Sequence, residues 1–441
     1  MSRTAIWSVT VAVAGFLFGF DTVVISGANE PIKAIWNTSG WFHGTFIMSM
    51  ALWGTVLGAL MGGIPCDRFG RKKTLFWIGV LYLASALGSA MAPEPYTFSV
   101  FRFIGGVGVG ASSVAAPTYI SEISSSRTRG RLVALYQFNI VLGIMIAFIS
   151  NYLLDGVGGV NDWRWMLGVE AIPAAIYTAL ILTVPNSPRW LVLKKGETEK
   201  AKDVLRLICE TEEEVEETCR QMLHDQRVDE SAEKLFQRKF RKPLVLAFLL
   251  AFFNQLSGIN FVLYYAPVIL EKAGFASSES LLSSVSIGGV NILFTFIGVY
   301  LIDRIGRRHL MYLGSIGYIV SLGMVAYGFK AEANATFSLA FILLFIASHA
   351  IGQGAVIWVY IAEIFPNQVR AAGQSFGTGV HWVFAALVTL LGEVVITAFP
   401  PWTVFAFFAA FMVLQLLFTH FVMPETKGRS LEELEREMVS S

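Results

Sequence analysis

The sequence predicts an all-α polytopic membrane protein, with twelve transmembrane helices in two pseudo-symmetric six-helix bundles and a cytoplasmic helical segment between them. Three observations predict this fold class: the composition, the recurrence of long apolar runs, and an internal repeat. Of the 441 residues, 55% are hydrophobic and 15% are charged, and the mean hydropathy is +0.60, whereas soluble domains carry about 25% charged residues. Runs long enough to cross a bilayer recur along the chain. They must be helices, because backbone groups in lipid need internal partners.

The polar breaks between the apolar runs set the predicted elements. The predicted spans are residues 5–27, 44–66, 74–92, 96–118, 131–154, 163–184, 243–270, 280–302, 309–329, 335–362, 372–398 and 402–423. A charge-rich segment after the sixth span is patterned like amphipathic helices; a solvated cap is the simpler interpretation, and a partner-docking surface is the alternative. We therefore expect an N-terminal bundle (1–184), a cytoplasmic helical linker (185–242), a C-terminal bundle (243–423) and a cytoplasmic tail (424–441).

Basic residues concentrate in every second loop. They are Arg68, Arg71, Lys72, Lys73, Arg127, Arg129, Arg131, Arg304, Arg307 and Arg308. The positive-inside rule then places these loops and both termini in the cytoplasm. Short loops and the absence of an added N-terminal domain lead us to expect a multi-pass protein of a bacterial inner (plasma) membrane.

Three sequence segments recur at nearly one offset. DRFGRKK at Asp67 returns as DRIGRRH at Asp303, 236 residues later; YISEISSSRTRG at Tyr119 returns as YIAEIFPNQVRA at Tyr360, 241 later; and PNSPRWL at Pro185 returns as PETKGRSL at Pro424, 239 later. This indicates a parallel duplication of a six-helix unit. Parallel repeats are one transporter architecture, with the binding site between the halves near the middle of the membrane.

Other classes of function find little support in the sequence. The net charge is +1 and no basic domain stands out, so nucleic acid is not an expected partner. Cys66, Cys209 and Cys219 have neither metal-ligand spacing nor the pattern of a disulfide framework. No P-loop and no nucleophile–base arrangement is present, so we expect no enzyme, no metal and no cofactor other than a coupling proton.

The motifs together resemble the sugar porter family of the major facilitator superfamily, over nearly the whole chain. They are DRFGRKK, DRIGRR, RFIGGVGVG, PNSPRWL, NQLSGIN and PETKGRS, each in its topological slot. The chain is similar to bacterial proton-coupled sugar symporters and to animal facilitative glucose transporters. The resemblance implies the major facilitator fold, a monomer in membrane lipid, and transport of a monosaccharide by alternating access.

Charged residues at the ends of the even-numbered spans form a predicted cytoplasmic gate. Glu122 with Arg129, and Glu363 with Arg370, offer partners for the DRFGRKK and DRIGRRH charges. The full set is Asp67, Arg68, Arg71, Glu122, Arg129, Asp303, Arg304, Arg307, Glu363 and Arg370. The resemblance implies that these charges lock the halves together on the inner side when the protein faces outward. The alternative is a topology signal with surface pairs worth under ~1 kcal/mol each.

Uncharged amides and aromatic side chains form a predicted sugar site, because amides pair with hydroxyls and aromatic faces cover C–H surfaces. The predicted residues are Gln137, Asn254, Gln255, Asn260, Tyr265, Asn291, Trp358, His381 and Trp382. Ser257, Gly258 and Pro267 predict a bend in span 7 that lets two amides reach one ligand. Any single amide could instead join two helices.

The resemblance implies that most of this set contacts sugar. The positions that match the family's contacts are Gln137, Gln255, Asn260, Asn291, Trp358 and Trp382. Asn254 replaces the usual first glutamine of span 7, and His381 replaces a usual Gln or Asn, so the identity of the sugar stays open. His381 is either a neutral hydrogen-bonding side chain or a group that titrates.

Asp21 lies in the first apolar run, where a lone charge costs roughly 2.5–3.5 kcal/mol. Arg102 in span 4 is the predicted partner. An aspartate at this position with the span 4 arginine resembles the proton-coupled members of the family, which implies symport; a static pair holding two helices together is the alternative. A facilitative sugar or polyol (inositol) porter, and a sugar sensor of transporter-like fold, remain alternative functions.

Overall fold

The computed structural model describes residues 3–125, 128–209, 211–229, 234–366, 368–429 and 431–439. Within these ranges the regular secondary structure is helical throughout, without a strand. Arg127, one of the basic residues behind the predicted topology, lies outside them.

The first six spans occupy the chain up to residue 181. Their helices are Arg3–Trp36 (span 1), Gly40–Phe42, His43–Met48, Met50–Met61 and Gly63–Phe69 (span 2), Arg71–Met91 (span 3), Pro95–Ile123 (span 4), Arg129–Leu154 (span 5), and Asp162–Gly168 with Ala171–Ile181 (span 6). The short helix Gly159–Asn161 leads into span 6. The residues 43–48 of span 2 are wound as a π-helix, which bends that span by 40°.

The second six spans begin at residue 241. Their helices are Arg241–Leu256, Ile259–Tyr264 and Ala266–Lys272 (span 7), Ser277–Ile305 (span 8), Arg307–Lys330 (span 9), Ala335–Ile351 and Gln353–Ile364 (span 10), Arg370–Ala398 (span 11) and Pro401–Phe421 (span 12). Across the described residues, ten helices are long and apolar enough to cross a membrane, and the bent span 2 makes eleven. Span 6, broken into two short helices, completes a count of twelve, in agreement with the predicted fold class.

Span 1 is longer than its hydropathy predicts. We expected it to end near residue 27, but the helix continues to Trp36 through Pro31. The added turns hold because Ala28, Asn29 and Ile32 are fully buried. Tertiary packing therefore overrides the polar residues that marked the predicted end.

Span 7 is interrupted at the point where the sequence predicted a locally unwound or bent helix. Gly258 has φ +86°, a left-handed conformation that glycine adopts without steric cost, and it separates two helical pieces. A Cβ at this position would meet the Phe408 ring at 2.7 Å. The bend is thus set by backbone conformation and by the packing of span 12 together.

The segments between and after the bundles are also helical. The linker contains Pro188–Trp190, a π-helix at Leu191–Lys195, Thr198–Leu205, Glu212–Asp229 and the short helix Arg238–Phe240. It has its own small apolar core, which includes Trp190, Leu205 and Cys219. The tail, for which we predicted no element, forms the helix Leu431–Val439, and its Met438 packs into the core of the second half.

Candidate transport site

Asp21 and Arg102 form a buried ion pair between spans 1 and 4. The Arg102 Nη1 atom lies 2.5 Å from Asp21 Oδ1, and Nη2 donates to the Asp21 carbonyl oxygen at 3.0 Å. Each residue is 1% exposed. The predicted partnership is therefore present, and no described residue accepts a hydrogen bond from Arg102 Nε.

A second carboxyl group, which the sequence analysis missed, joins this pair. Glu170 stands at the break in span 6, is 2% exposed, and interacts electrostatically with both Asp21 and Arg102. Two carboxylates against one guanidinium would leave an uncompensated buried charge, which is costly. One proton shared by the cluster removes that excess. The sequence does contain an indication of this residue, because Glu170 is a lone glutamate inside the sixth apolar run.

Five of the predicted sugar residues lie together in the second half. Asn260 Nδ2 donates to Gln255 Oε1 at 2.7 Å across the bend of span 7, and Gln255 Nε2 lies 3.2 Å from His381 Nε2. The His381 ring stands between Trp358 and Trp382, with centroids 4.8 Å from each. The Trp382 Nε1 donor is buried and has no partner among the described residues. This amide–aromatic cluster has the chemistry that a sugar ring requires.

Other predicted sugar residues use their polar groups inside the protein. Asn254 donates to Gln353 Oε1 at 3.1 Å and accepts from Gln255, while Tyr265 donates to the Thr389 carbonyl oxygen at 2.8 Å. Both side chains are almost fully buried. In this structure both polar groups are used in hydrogen bonds within the protein, and their role in binding sugar stays a prediction.

Gln137 and Asn291 stand on spans 5 and 8. These spans face each other across the halves, with the rings of Phe138 and Phe296 at 5.2 Å. No hydrogen bond between described residues joins Gln137 or Asn291 to the amide–aromatic cluster. The structure leaves these two amides on the facing halves rather than within that cluster.

The charged motifs form two matching clusters, one in each half. Arg71 pairs with Glu122 at 2.9 Å and with Asp67 at 3.1 Å. In the second half, Arg307 pairs with Glu363 at 2.7 Å and with Asp303 at 3.0 Å. The sequence repeat is therefore a structural repeat at the level of single contacts.

The third repeated segment completes both clusters. Ser187 donates to Glu122 Oε2 at 2.5 Å, and Thr426 donates to Glu363 Oε2 at 2.6 Å. The turns that precede the arginines also match, since Gly70 and Gly306 have φ of +91° and +103°. These positive φ values explain why both turns carry glycine.

Each of the two glutamates pairs with the arginine that follows the glycine turn of the motif in its own half. Glu122 pairs with Arg71 rather than Arg129, which is exposed. Glu363 pairs with Arg307, while Arg370 Nε donates to the Phe365 carbonyl oxygen at 3.2 Å.

The remaining gate residues lie at aromatic rings. Arg68 stands 5.3 Å from the ring centroid of Phe69, and Arg304 stands 4.0 Å from that of Tyr300. All described ion pairs of the two motif clusters lie within one half. The predicted lock between the halves, which belongs to the outward-facing state, therefore stays a prediction.

An ion pair between the halves lies on the opposite side of the bundle. Lys33 Nζ at the end of span 1 lies 2.5 Å from Glu393 Oε1 near the end of span 11. The Lys33 side chain is 24% exposed and the Glu393 side chain only 1%. This ion pair joins the two halves across 360 positions of the chain.

The two pseudo-symmetric halves, the buried carboxyl–guanidinium cluster and the amide–aromatic cluster define a polytopic membrane transporter of the major facilitator fold. The family model described as "Sugar (and other) transporter" matches residues 7–438. The chain belongs to this sugar transporter family, the sugar porters of the major facilitator superfamily.

Relatives match over nearly their whole length. The D-xylose transporter of Levilactobacillus brevis is 35% identical over 435 residues, covering 96% of this chain and 93% of that protein. The arabinose-proton symporter of Bacillus subtilis is 34% identical over 441 residues, covering 97% and 94%. A solved structure of the xylose transporter from Escherichia coli, in a partially occluded inward open conformation, has a TM-score of 0.86 at 30% identity and covers 97% of this chain and 100% of that one.

Proposed function

We propose that this protein moves a monosaccharide across the membrane by alternating access, together with a proton that binds at the Asp21–Arg102–Glu170 cluster. The observation that carries the proposal is the burial of two carboxyl groups against one guanidinium within the spans. Such a site changes its net charge when one proton binds, and buried intramembrane carboxyls typically serve proton relays. The printed functions of the relatives, a D-xylose transporter and an arabinose-proton symporter, support the same reading.

The sugar binds at the amide–aromatic cluster of the second half. Asn260 Oδ1 and the second lone pair of Gln255 Oε1 accept from sugar hydroxyls, and the Trp358 and Trp382 rings cover the C–H surface of the sugar. The unpartnered Trp382 Nε1 donates to a sugar oxygen. Gln137 and Asn291 close the site from the facing spans. The relatives' names favour an aldopentose.

The proton couples to this site through spans 1, 4 and 6. While Asp21 is ionised, its bond to Arg102 holds spans 1 and 4 together. Protonation of Asp21 weakens that bond. The Arg102 guanidinium then turns toward Glu170, with which it already interacts electrostatically. With one proton bound the cluster is neutral, and a neutral cluster is closed off from water at lower cost than a charged one, so the loaded carrier reorients when proton and sugar are both bound.

Two sets of charges then alternate as gates. The Arg71 and Arg307 clusters bring the halves together at the cytoplasmic side in the outward-facing state, and the Lys33–Glu393 pair closes the outer side in the state described above. We place both termini in the cytoplasm and the protein, as a monomer, in a bacterial inner membrane. The division into bundles at 1–184 and 243–423 follows from the same arrangement.

The test is sugar-induced proton uptake in proteoliposomes, read with a dye for internal pH. D-xylose, L-arabinose, D-glucose and myo-inositol form the panel. We expect acidification with one sugar in the wild type, and its loss in Asp21→Asn with counterflow of the labelled sugar preserved. Asp203→Asn, on an exposed linker residue, is the matched control. Counterflow without any proton movement would identify a facilitator and make Asp21 a structural residue.

A further inference from the structure

A continuous chain of buried hydrogen bonds leads from span 9 to the amide–aromatic cluster. The four residues that precede the cluster are fully or almost fully buried; they are Ser315, Gln415, Gln353 and Asn254. The bonds run from Gln415 Nε2 to Ser315 Oγ (2.8 Å), from Gln353 Nε2 to Gln415 Oε1 (2.5 Å), from Asn254 Nδ2 to Gln353 Oε1 (3.1 Å), from Gln255 Nε2 to Asn254 Oδ1 (2.9 Å) and from Asn260 Nδ2 to Gln255 Oε1 (2.7 Å). The chain thus joins spans 9, 12, 10 and 7.

The direction in which hydrogen bonds are donated along this chain is determined at Ser315, the end remote from the amide–aromatic cluster. Ser315 Oγ lies 2.7 Å from the Met311 carbonyl oxygen, and a carbonyl oxygen can only accept. The single hydroxyl hydrogen of Ser315 therefore points to Met311, so Ser315 must accept from the next group. That group is the amide nitrogen of Gln415, which turns its oxygen toward Gln353.

The same constraint passes along every amide to the sugar site. An amide that donates at one end offers its oxygen at the other, and a flipped amide would place two donors or two acceptors face to face. In a site closed to water, each such clash leaves a buried polar atom unsatisfied. Asn254 and Gln255 are consequently held in one orientation each.

The sugar-facing end of the chain then has a defined chemistry. Asn260 uses its nitrogen to donate to Gln255, and no hydrogen bond from a described residue reaches Asn260 Oδ1. Gln255 uses its second amide hydrogen on a ring nitrogen of His381, 3.2–3.3 Å away. The end of the chain therefore offers an acceptor at Asn260 Oδ1.

We propose that Gln353 and Gln415, outside the sugar site, are positioning residues that determine its hydroxyl selectivity. They act through Asn254, which bridges to the site and does not itself bind sugar. Asn260 Oδ1 is then presented to a hydroxyl group that must donate. This inference rests on the proposed sugar transport and specifies how one hydroxyl is read.

The experiment measures equilibrium binding to purified protein of D-xylose, L-arabinose and D-glucose, and of the mono-deoxy derivatives of whichever of the three binds best. The variants are Gln353→Met, Gln415→Met and the double variant. Gln374→Met, on an exposed glutamine of span 11, is the matched control. Thermal melting accompanies each measurement, and Gln415→Met serves alone if Gln353→Met does not fold.

We expect each single variant to raise the Kd of the best sugar about tenfold, the size that follows from one misoriented buried hydrogen bond. The wild type should discriminate strongly against one mono-deoxy derivative, and the variants should lose that discrimination. Because either substitution breaks the same chain, the double variant should be no worse than a single one. If the two substitutions damaged the structure independently, their losses of binding free energy would instead add in the double variant.

Two results would separate the possible failures. Wild-type affinity and hydroxyl discrimination in Gln353→Met and Gln415→Met, with binding intact, would overturn the positioning role and leave the proposed function standing. Absence of binding by the wild type to every sugar of the panel would overturn the proposed function, and this inference with it.

Discussion

Replacing Lys33 by methionine tests the ion pair that joins the halves on the side opposite the motif clusters. The two charged atoms are 2.5 Å apart, and Glu393 is 1% exposed. Its second carboxylate oxygen has no hydrogen-bond partner among the described residues. Lys33→Met therefore leaves a buried carboxylate without compensation, whereas Glu393→Gln leaves a lysine that is already 24% exposed and can reach water.

The two substitutions should consequently differ in size. At an effective dielectric constant of about 20, the charges attract by roughly 7 kcal/mol, much of which is offset by their desolvation. Removing one partner of a buried pair costs about 3–5 kcal/mol. We expect this cost for Lys33→Met, about 1 kcal/mol for Glu393→Gln, and a double variant close to the wild type. A loss of 3 kcal/mol would shift the ratio of closed to open states about 150-fold.

The assay is a distance distribution by pulsed electron paramagnetic resonance. Labels at Ile35→Cys and Phe399→Cys, both exposed at the ends of spans 1 and 11, report the separation of the halves, after the three native cysteines are replaced by serine. Lys33→Met should add a population at longer distance, and Lys272→Met, on an exposed residue, should not. Equal distributions for Lys33→Met and Glu393→Gln would refute the asymmetry and with it the burial argument.

Three further predictions concern the motif turns, the tail and the sugar site. Gly70→Ala should cost about 1–3 kcal/mol, because φ is +91° and the new Cβ would lie 3.0 Å from the Trp190 ring; an unchanged melting temperature would contradict this. Burial raises the pKa of the Glu425 carboxyl, but four backbone N–H donors lower it more, and the net pKa lies below its ordinary value. The stability that Glu425 adds over Glu425→Gln should therefore be complete above about pH 4.5 and should fade as pH drops further, in melting curves across pH. Trp382→Ala should weaken sugar binding roughly tenfold or more without preventing insertion, and wild-type affinity would remove the ring from the site.

Much of the architecture follows from properties that a sequence carries locally. Hydropathy and the 236–241-residue repeat predicted the spans and the two halves, because lipid requires long apolar helices and a duplicated unit repeats its motifs. The bend in span 7 was also predictable, since Gly258 has a conformational freedom that other residues lack. The Asp21–Arg102 pair was also predictable, because a buried charge in a span needs a partner and span 4 carries an arginine.

The pairing of the remaining polar groups was decided by the tertiary structure. Glu122 pairs with Arg71, and Lys33 pairs with Glu393, 360 positions away. Glu170, in span 6, interacts with Asp21 in span 1 across 149 positions of the chain. The sequence shows which charged and amide side chains lie in the spans and therefore need partners. Which partner each one finds depends on which helix faces meet. Those contacts are set by the packing of spans that lie far apart in the chain.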